Sequence, residues 1–484
     1  MGRGRARRVT IHRLPPLVEI VGPYSGSMTA VEQPITPDKQ STTADVPAIG
    51  PEDEVVDLCR DLLRIDTTNP GDGTGPGEAQ AAAYVVAKLE EVGLSATVYE
   101  SDPGRTTVVT RIPGADPTRP GLCIHGHLDV VPANAADWQV DPFGGIERDG
   151  CLWGRGAVDM KDMVAMILAG ARDLARTHTT PPRDLLFVFF ADEEAGGVKG
   201  SHFLVESHPE VFEGISEAIS EVGGYSVTVT DTGGRPQRAY LLQTAEKGIA
   251  WLRLTAHGRA GHGSVPNPDN AIVHLAGAIE GIAAHTWPRE YVASVSGLLD
   301  GLADLTGMPW DGTDPEPLLH ALGPAALFVR ATLTDTANVT MLDAGYKHNV
   351  IPQHAHANVD ARFLPGHEQD LLDTIADLAG PNVDVEVLHR DIALDAPFSG
   401  DLVQAMIDAL HSEDPQAQVL PYCLSGGTDN KALSALGITG YGFAPLRLPA
   451  DLDFAPMFHG VDERVPLDSL RFGAKVLARF LRTC

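Results

Sequence analysis

The sequence predicts an α/β fold with a mostly parallel central sheet, helices on both of its faces, and an inserted α+β domain. Short apolar runs such as RTTVVTRI, GLCIHGH and DLLFVFFA alternate with helical patterns, including one from Lys161 to about Ala175. Strands that are apolar throughout are typical of parallel sheets buried on both faces. By contrast, apolar and polar residues alternate in KGIAWLRLTAHG and HANVDARFLPG, which is typical of strands with one solvent-exposed face. The length of 484 residues also favours two domains over a single core.

The elements divide the chain into four stretches. Prolines and an acid interrupt the apolar stretch after the basic start, which makes it a poor signal-peptide core. Residues 1–45 are therefore expected to be a disordered extension outside the fold, and a start of the native protein at Met28 stays open as an alternative. Residues 46–245 are expected to form the first part of a catalytic domain, opening with the amphipathic helix PEDEVVDLCRDLLRI. The alternating strands place an insert at 246–390, which includes a Pro- and Gly-punctuated stretch. Residues 391–484 then return to the first domain and close with the helical pattern PLDSLRFGAKVLARFLRT.

Composition excludes some functions and favours one compartment. The formal net charge is -29, and this charge repels phosphate backbones and anionic membrane surfaces, so we expect neither nucleic acid nor membrane as a partner. The five cysteines are scattered and form no C-x-x-C pair, which argues against a disulfide framework and favours a reducing, cytoplasmic location.

Acidic residues and histidines cluster where the predicted strands end. His127 and Asp129 in GHLD are two apart and project on one face of an extended segment. Asp159 follows a Gly-rich turn, and Glu193 and Glu194 follow the strand DLLFVFFA. Taken singly, each has an ordinary explanation: a strand-end hydrogen bond, an acid at a helix N-terminus, or a solvated acidic turn.

Two further residues lie beside glycines at the edge of apolar segments, namely Glu221 in ISEVGG and His459 in MFHGV. Either could be a capping acid or a surface histidine. Together with the preceding residues, however, they would gather at the carboxyl ends of parallel strands. Imidazole and carboxylate ligands suit zinc, with cobalt or manganese as competitors. Three carboxylates and a hydroxide would balance two divalent ions and leave Glu193 free to accept a proton.

Several separated motifs in one order resemble a known family. HGHLDVVP, WGRGAVDMKD, ADEEAGG, HGRAGHGSVP and HGVDERV resemble the two-zinc metallopeptidase group of aminoacylase, acetylornithine deacetylase, succinyl-diaminopimelate desuccinylase and carboxypeptidase G. The resemblance runs from about Pro51 to the C-terminus, and the long insert resembles the carboxypeptidase S branch more than the compact deacetylases. It implies that the insert is a lid or dimerisation domain, through which the chain would form a homodimer.

The resemblance also implies roles for individual residues. One metal would be held by His127, Asp159 and Glu221, and Asp159 would bridge to a second metal completed by Glu194 and His459. Asp129 is similar to the acid that orients the first histidine, and Glu193 to the general base.

The substrate would meet residues of the lid and of a later loop. His262 in GHGSVP resembles the histidine that family members bring to the substrate carbonyl, often from the partner subunit. Asn349 and Arg362 lie in segments similar to those that bind the substrate carboxylate, and Gly426 and Gly427 match a substrate-loop position. The other histidines, among them His354 and His356, are expected to be structural.

The predicted function is hydrolysis of the amide or peptide bond of N-acyl amino acids or small peptides with a free carboxylate. Water activated by two metals, with Glu193 as general base, would carry out the attack. Two alternatives stay open: a dipeptidase or aminopeptidase that reads a free amino end, and a catalytically silent relative that only binds.

Overall fold

The computed structural model describes residues 49–484, so the expected disordered extension over 1–45 lies outside the described residues. The helices are α1 (Pro51–Leu63), α2 (Ala79–Glu90), α3 (Lys161–Arg176), α4 (Ser201–Ser207), α5 (Ala271–Ala284), α6 (Ala293–Thr306), α7 (Glu316–Ala321), α8 (Ala326–Arg330), α9 (Glu368–Ala379), α10 (Asp401–Glu413), α11 (Asn430–Ser434) and α12 (Leu467–Leu481). The strands are β1 (Thr97–Asp102), β2 (Arg105–Ile112), β3 (Gly121–His127), β4 (Ile146–Arg148), β5 (Cys151–Trp153), β6 (Leu185–Phe190), β7 (Ile215–Ser220), β8 (Tyr225–Thr230), β9 (Pro236–Glu246), β10 (Gly248–His257), β11 (Gly261–His262), β12 (Thr336–Ala344), β13 (Val350–Ile351), β14 (His354–Phe363), β15 (Val383–Asp391), β16 (Leu394–Asp395), β17 (Gln418–Leu424), β18 (Thr439–Gly442) and β19 (Arg464–Pro466).

A 10-stranded sheet forms the centre of the larger unit, in the order β1-β2-β6-β3-β7-β18-β9-β16, with β8 and β17 also paired to β9. The central strands β6, β3, β7 and β18 run parallel. Towards the edges β1, β2, β8 and β16 pair antiparallel. The predicted α/β class with a mostly parallel central sheet is confirmed, and its parallel part is the part that carries the candidate site.

Helices cover both faces of this sheet because successive residues of its strands point to opposite sides. In β3, Leu122 and Ile124 pack into the larger hydrophobic cluster with α1, α3 and α12. Cys123, between them, faces a second cluster that includes residues of α4 and α11. The strands are therefore buried on both sides, which is why their sequences are apolar throughout.

The lid, defined here by β10, β12, β14 and β15 with α5 and α9, has its own four-stranded antiparallel sheet in the order β12-β14-β10-β15. Leu252 and Leu254 of β10 pack with α5 and α9 in a separate cluster. Trp251 and Arg253, which alternate with them, are exposed on the opposite face. This alternation explains the one-sided pattern of the lid strands in the sequence.

Helices α6, α7 and α8 lie within the 246–390 range predicted as the insert, yet they pack on the larger unit. Leu298, Leu299, Leu319 and Val329 are buried in the same cluster as α1 and α3, not in the lid cluster. The chain therefore leaves the lid after α5 and returns to it at β12.

Two chain crossings join the lid sheet to the central sheet, and they lie side by side. β9 ends at Glu246 and β10 begins at Gly248, with only Lys247 between them. On the return, β15 ends at Asp391, and Leu394 of β16 pairs with Glu246. The Lys247 ammonium donates to the carbonyl oxygens of residues 331 and 334 at 3.0 and 2.8 Å, so this link is tied to the larger unit.

All five cysteines are free, and four of them are buried. Among residues 49–484, no helix combines the length and apolar character needed to cross a bilayer.

Candidate metal centre

Three strand ends meet at one edge of the central sheet. β3 ends with His127, while β6 and β7 pair parallel with β3 on either side and are followed by Asp192–Glu194 and Glu221. The carboxyl ends of parallel strands are where open α/β sheets collect ligands. Asp192 and Val222 have φ of 66° and 54°, so the chain takes a left-handed step as it leaves each strand.

The cluster has two groups of contacts, each centred on one histidine and called an arm below. The first arm is centred on the buried His127. Its Nε2 lies 3.2 Å from Oδ1 of Asp159, 3.4 Å from Oε2 of Glu221 and 3.9 Å from Oε2 of Glu193. Its Nδ1 lies 3.0 Å from the backbone carbonyl oxygen of Asp129. Because that oxygen holds Nδ1, the ring presents Nε2 to the acids.

The second arm is centred on His459, which precedes β19. Its Nε2 lies 3.2 Å from Oδ2 of Asp159 and 3.1 Å from Oε2 of Glu194. The side chain of His459 is 56% exposed, whereas the other members are mostly covered. Asp159 thus offers one carboxylate oxygen to each histidine, which is the arrangement that a bridging ligand requires.

A buried acid that the sequence analysis missed, Glu463, fixes the loop that carries Asp159. Its Oε1 accepts from the N–H groups of Val158 and Asp159 at 2.7 and 3.1 Å. Its Oε2 accepts from the N–H of Gly156 at 3.0 Å and from the Arg155 guanidinium at 2.7 Å. The available signal was an acid four residues after His459, in HGVDERV, but sequence does not report which loop it contacts.

Asp129 does more than the predicted orientation of His127. Its Oδ1 lies 3.5 Å from Nδ1 of His127, farther away than its own backbone oxygen. The carboxylate accepts from the N–H groups of Glu193 and Glu194, each at 3.1 Å, and from the Asn69 amide at 2.8 Å. The side chain therefore positions the turn that presents both glutamates.

Crowding of the acids shifts their proton affinities. Burial, followed by the charge of Glu221, raises the pKa of Glu193 well above its usual range. Burial raises the pKa values of Glu194 and Glu221 to about 7. Hydrogen bonds to Asp159 and Glu194 raise the pKa of His459 to about 10. The three glutamate shifts share one main cause, which is the burial of several carboxylates together, whereas burial opposes the rise at His459.

The donor set fits divalent metal ions. Candidate ligand atoms converge in two groups that share one histidine: His127 with Glu193 and Glu221, and His127 with Asp159 and Glu194. The Oε1 atom of Glu194 is buried without a hydrogen-bond partner in the described part of the chain, so it is available to a cation. Mixed imidazole and carboxylate oxygen ligands suit zinc and its first-row competitors.

Two residues of the insert that were predicted to meet the substrate, His262 and Asn349, lie close to each other, outside this cluster. His262 is in β11, which pairs with β13, and Asn349 immediately precedes β13. Both are exposed, and Nδ1 of His262 lies 2.8 Å from the hydroxyl of Ser264. Within the described residues of one chain, no hydrogen bond or ion pair joins either residue to the cluster of His127 and His459.

Arg362 was predicted to hold a carboxylate through its guanidinium fork, and a carboxylate of the protein already occupies that fork. Its Nε and Nη2 donate to the two oxygens of Asp360 at 2.7 and 3.0 Å. Both residues lie on the face of β14 opposite the lid core. Asp360 therefore occupies the Nε side of the guanidinium, and a further carboxylate is left the remaining N–H groups of Nη1 and Nη2.

Gly426 and Gly427 precede a buried lysine that the sequence analysis did not nominate. A Cβ at Gly427 would lie 2.8 Å from Nζ of Lys431, so the glycine leaves room for that side chain. Lys431 donates to the backbone oxygen of Lys247 at 2.9 Å. Burial lowers the pKa of Lys431, although Glu246 and Asp391 oppose this shift. The motif SGGTDNK therefore places a cation at the junction with the lid.

Curated relatives cover most of the chain. It is 27% identical over 417 residues to aminoacylase-1 of Sus scrofa, covering 85% of this chain and 90% of that protein. It is also 27% identical over 433 residues to the N-fatty-acyl-amino acid synthase/hydrolase PM20D1 of Xenopus tropicalis, covering 86% of this chain and 83% of that protein.

Solved structures show the same fold. An M20 family metallo-carboxypeptidase of Sulfolobus solfataricus superposes with a TM-score of 0.65 and 19% identity, covering 89% of this chain and 99% of that chain. Human carnosine dipeptidase 1 superposes with a TM-score of 0.61 and 15% identity, covering 89% and 95%. Residues 123–483, which carry every residue predicted for the metal centre, match the family described as Peptidase family M20/M25/M40. The chain is therefore a metal-dependent hydrolase that belongs to the M20/M25/M40 peptidase family.

Proposed function

We propose that the protein hydrolyses the amide bond of N-acyl amino acids or short peptides that carry a free carboxylate, with two divalent metal ions as cofactors, for which zinc suits the ligands best. The observation that supports this proposal best is the pair of histidine arms joined by Asp159. One protein carboxylate shared between two sets of ligands is what a two-metal site needs. The two curated relatives act, by their names, on acylated amino acids, which is why we favour this substrate class.

In this proposal His127, Asp159 and Glu221 hold one ion, and Asp159, Glu194 and His459 hold the other. Bound there, the ions would polarise the scissile carbonyl oxygen and acidify water. The chain's own part is to keep the ligands in place: Asp129 fixes the turn of Glu193 and Glu194.

Glu193 is the proposed general base. Its Oε2 lies at the rim of the first arm, 3.9 Å from His127, and positive charge nearby would lower its raised pKa towards the working range. The carboxylate would accept a proton from the attacking water at Oε2 and then donate it to the leaving amine.

The base is tested by Glu193→Gln, with exposed Glu213→Gln as the matched control. We expect kcat to fall by about 10²–10⁴, because a positioned base contributes that much, while bound metal stays at the parent level. Loss of one metal ion from Glu193→Gln would instead make this residue a ligand, consistent with its place beside His127 and Glu221.

The substrate class is tested by amine release from a panel of N-acyl amino acids and dipeptides. The chelated protein and the zinc- or manganese-restored protein are compared, and each substrate is paired with its carboxyl amide. Metal-dependent release that is lost on amidation supports the proposal. Release that needs a free amino group would favour a dipeptidase or aminopeptidase, and normal metal binding without turnover would favour the silent relative.

We also propose that the chain forms a homodimer through the lid and that His262 reaches the partner's metal centre. β12 is an edge strand of the lid sheet, and α5 packs beside it. Unpaired edge strands with exposed apolar side chains are ready to pair with another chain. The exposed apolar side chains here are Val273, Met341, Leu342 and Tyr346.

Sedimentation velocity tests the dimer. Leu342→Glu should shift the protein to monomer, whereas Val198→Glu, at an exposed apolar residue of the larger unit, should leave the dimer intact. If His262 acts across the interface, the monomeric Leu342→Glu variant should lose activity while it keeps its metal. A parent protein that sediments as a monomer would remove this proposal but not the proposed reaction.

A further inference from the structure

A buried asparagine from outside the central sheet contacts two acids beside the turn that follows β6. Asn69 lies in the loop between α1 and α2, where its backbone N–H donates to the carbonyl oxygen of Val130 at 2.8 Å. Its side chain is buried, and its Nδ2 donates to Oδ2 of Asp129 at 2.8 Å and to Oδ1 of Asp192 at 3.1 Å. One amide group therefore joins the carboxylates of two acids, neither of which is a proposed metal ligand.

Arg105, the first residue of β2, fixes the direction in which this amide points. Its Nη2 donates to Oδ1 of Asn69 at 3.0 Å, and its Nη1 pairs with the buried carboxylate of Glu78. The backbone N–H of Gly71 donates to the same amide oxygen at 3.2 Å. Because a guanidinium and a backbone N–H can only donate, the amide oxygen faces Arg105, and both N–H bonds of Nδ2 point to the acids. Nη1 of Arg105 also lies 3.9 Å from Oδ1 of Asp192, so a formal positive charge stands behind the amide.

The two acids hold the turn at different places. Asp129 accepts from the N–H groups of Glu193 and Glu194, each at 3.1 Å. Asp192 is the residue that starts the turn, and its Oδ2 accepts from the N–H of Lys199 at 2.9 Å. Buried carboxylates that lie close together repel each other unless donors lie between them, and the amide supplies those donors. Without the amide we expect the two acids to separate and the turn to move with them.

We infer that Asn69, oriented by Arg105, is a positioning residue for Glu193, an inference that rests on the proposed function of Glu193 as the base. Among the described residues, no hydrogen bond joins Asn69 to a proposed metal ligand, so its effect passes through Asp129 and Asp192. By holding both acids, the amide keeps Oε2 of Glu193 at the rim of the first arm.

Steady-state kinetics of Asn69→Asp test the inference. This variant keeps the size of the side chain and an acceptor for Arg105, but it replaces the two donors by a carboxylate oxygen. The matched control is Asn134→Asp, whose exposed amide donates to Asp137 at 2.9 Å. We expect kcat of Asn69→Asp to fall about 10–100-fold with KM within about twofold of the parent, as loss of a group that orients site residues does. The control should keep the parent kcat.

Hydrogen exchange gives a second readout that needs no activity. Mass spectrometry follows the peptide over residues 191–200 in the full-length protein, both zinc-free and zinc-restored, with the peptide over β17 as the internal reference. We expect faster exchange over 191–200 in Asn69→Asp and unchanged exchange in β17, because only the turn loses its fixed acceptors. Arg105→Lys keeps a charge for Glu78 but lacks the fork that also reaches Asn69, so it should change exchange in the same direction by less.

A parent-level kcat in Asn69→Asp, or parent-level exchange over 191–200, would overturn the inference. Faster exchange that extends equally to β17 would also overturn it, because that result would show a general loss of stability. If the parent turns over no substrate of the panel, the proposed reaction fails, but the exchange comparison still decides whether Asn69 holds the turn.

Discussion

Asp129 shows how a single residue, through its backbone oxygen and its carboxylate, can organise the candidate site without being one of the proposed ligands. Its backbone oxygen holds His127, while its carboxylate accepts from two successive N–H groups of the turn at Glu193 and Glu194. Although burial alone would raise the pKa of Asp129, its hydrogen bonds with His127, Asn69 and Glu194 lower it on balance. The carboxylate therefore stays charged inside the protein.

Asp129→Asn should lower kcat about 10–100-fold, as loss of a partner that orients metal ligands typically does. An amide NH₂ would face one of the two backbone N–H groups, and two donors repel each other. Activity and thermal melting are measured beside Asp102→Asn, whose carboxylate pairs with Lys199 on the surface. Activity of Asp129→Asn within twofold of the control would contradict the assigned role.

Glu463→Gln should lower the free energy of unfolding by about 3 kcal/mol, because it leaves the Arg155 charge buried without its partner. Glu316→Gln, which breaks an exposed pair with Arg330, should cost less than about 1 kcal/mol. Urea unfolding of the two variants gives the comparison. Equal losses would mean that the buried pair contributes no more than a surface pair.

The residues that converge at the site could be predicted because each of them ends or follows a recognisable strand or motif. His127, Asp159, Glu194, Glu221 and His459 do lie together in the structure. What could not be predicted depends on contacts between distant segments. Glu463 holds the loop of Asp159 through hydrogen bonds, and Asp360 accepts two hydrogen bonds from the Arg362 guanidinium. Neither contact leaves a periodic signal in the sequence.

At the scale of elements, helices α6–α8 show that the position of a helix in the sequence does not determine the core against which it packs. They lie between two lid elements along the chain, but their buried leucines face the larger core. Periodicity shows that a helix has an apolar face, but it does not show which core receives that face. This is why a linear boundary at 246–390 could not describe the packing, whereas the start of β10 and the helix predicted from Lys161 were readable from local pattern.

Leu299→Ala in α6 should destabilise the larger unit by about 2–5 kcal/mol, as deletion of a fully buried leucine does. The matched change in the lid is Leu275→Ala in α5, which is equally buried but belongs to the lid cluster. Hydrogen exchange should show loss of protection in β17 and α6 for the first variant and in β10 and β14 for the second. Loss of protection in the lid strands for Leu299→Ala would contradict the packing described here.

At the scale of the whole molecule, the main feature is the excess of negative charge. The chain carries a formal net charge of -29, and the candidate site adds a buried group of acids to this acidic background. Like charges held together oppose the compact state, and bound cations offset this effect locally. Stability should therefore depend on metal.

Removal of metal by a chelator should lower the melting temperature, and added zinc should restore it. A ligand present at 100 times its Kd stabilises the folded state by about 2.7 kcal/mol per site. Differential scanning fluorimetry with and without zinc measures the shift. Glu194→Gln should show a smaller shift than the parent, whereas Glu213→Gln should match the parent. A melting temperature that does not respond to zinc in any variant would argue against a buried cation site.

The chain passes between the lid and the larger unit four times: at Lys247, at residues 392–393, between α5 and α6, and between α8 and β12. The first two passages lie side by side, and so do the last two, where Arg289 and Thr334 form a β-bridge. The Lys247 side chain ties the first passage to the larger unit. Any change in the position of the lid must therefore alter the backbone at both pairs of passages together.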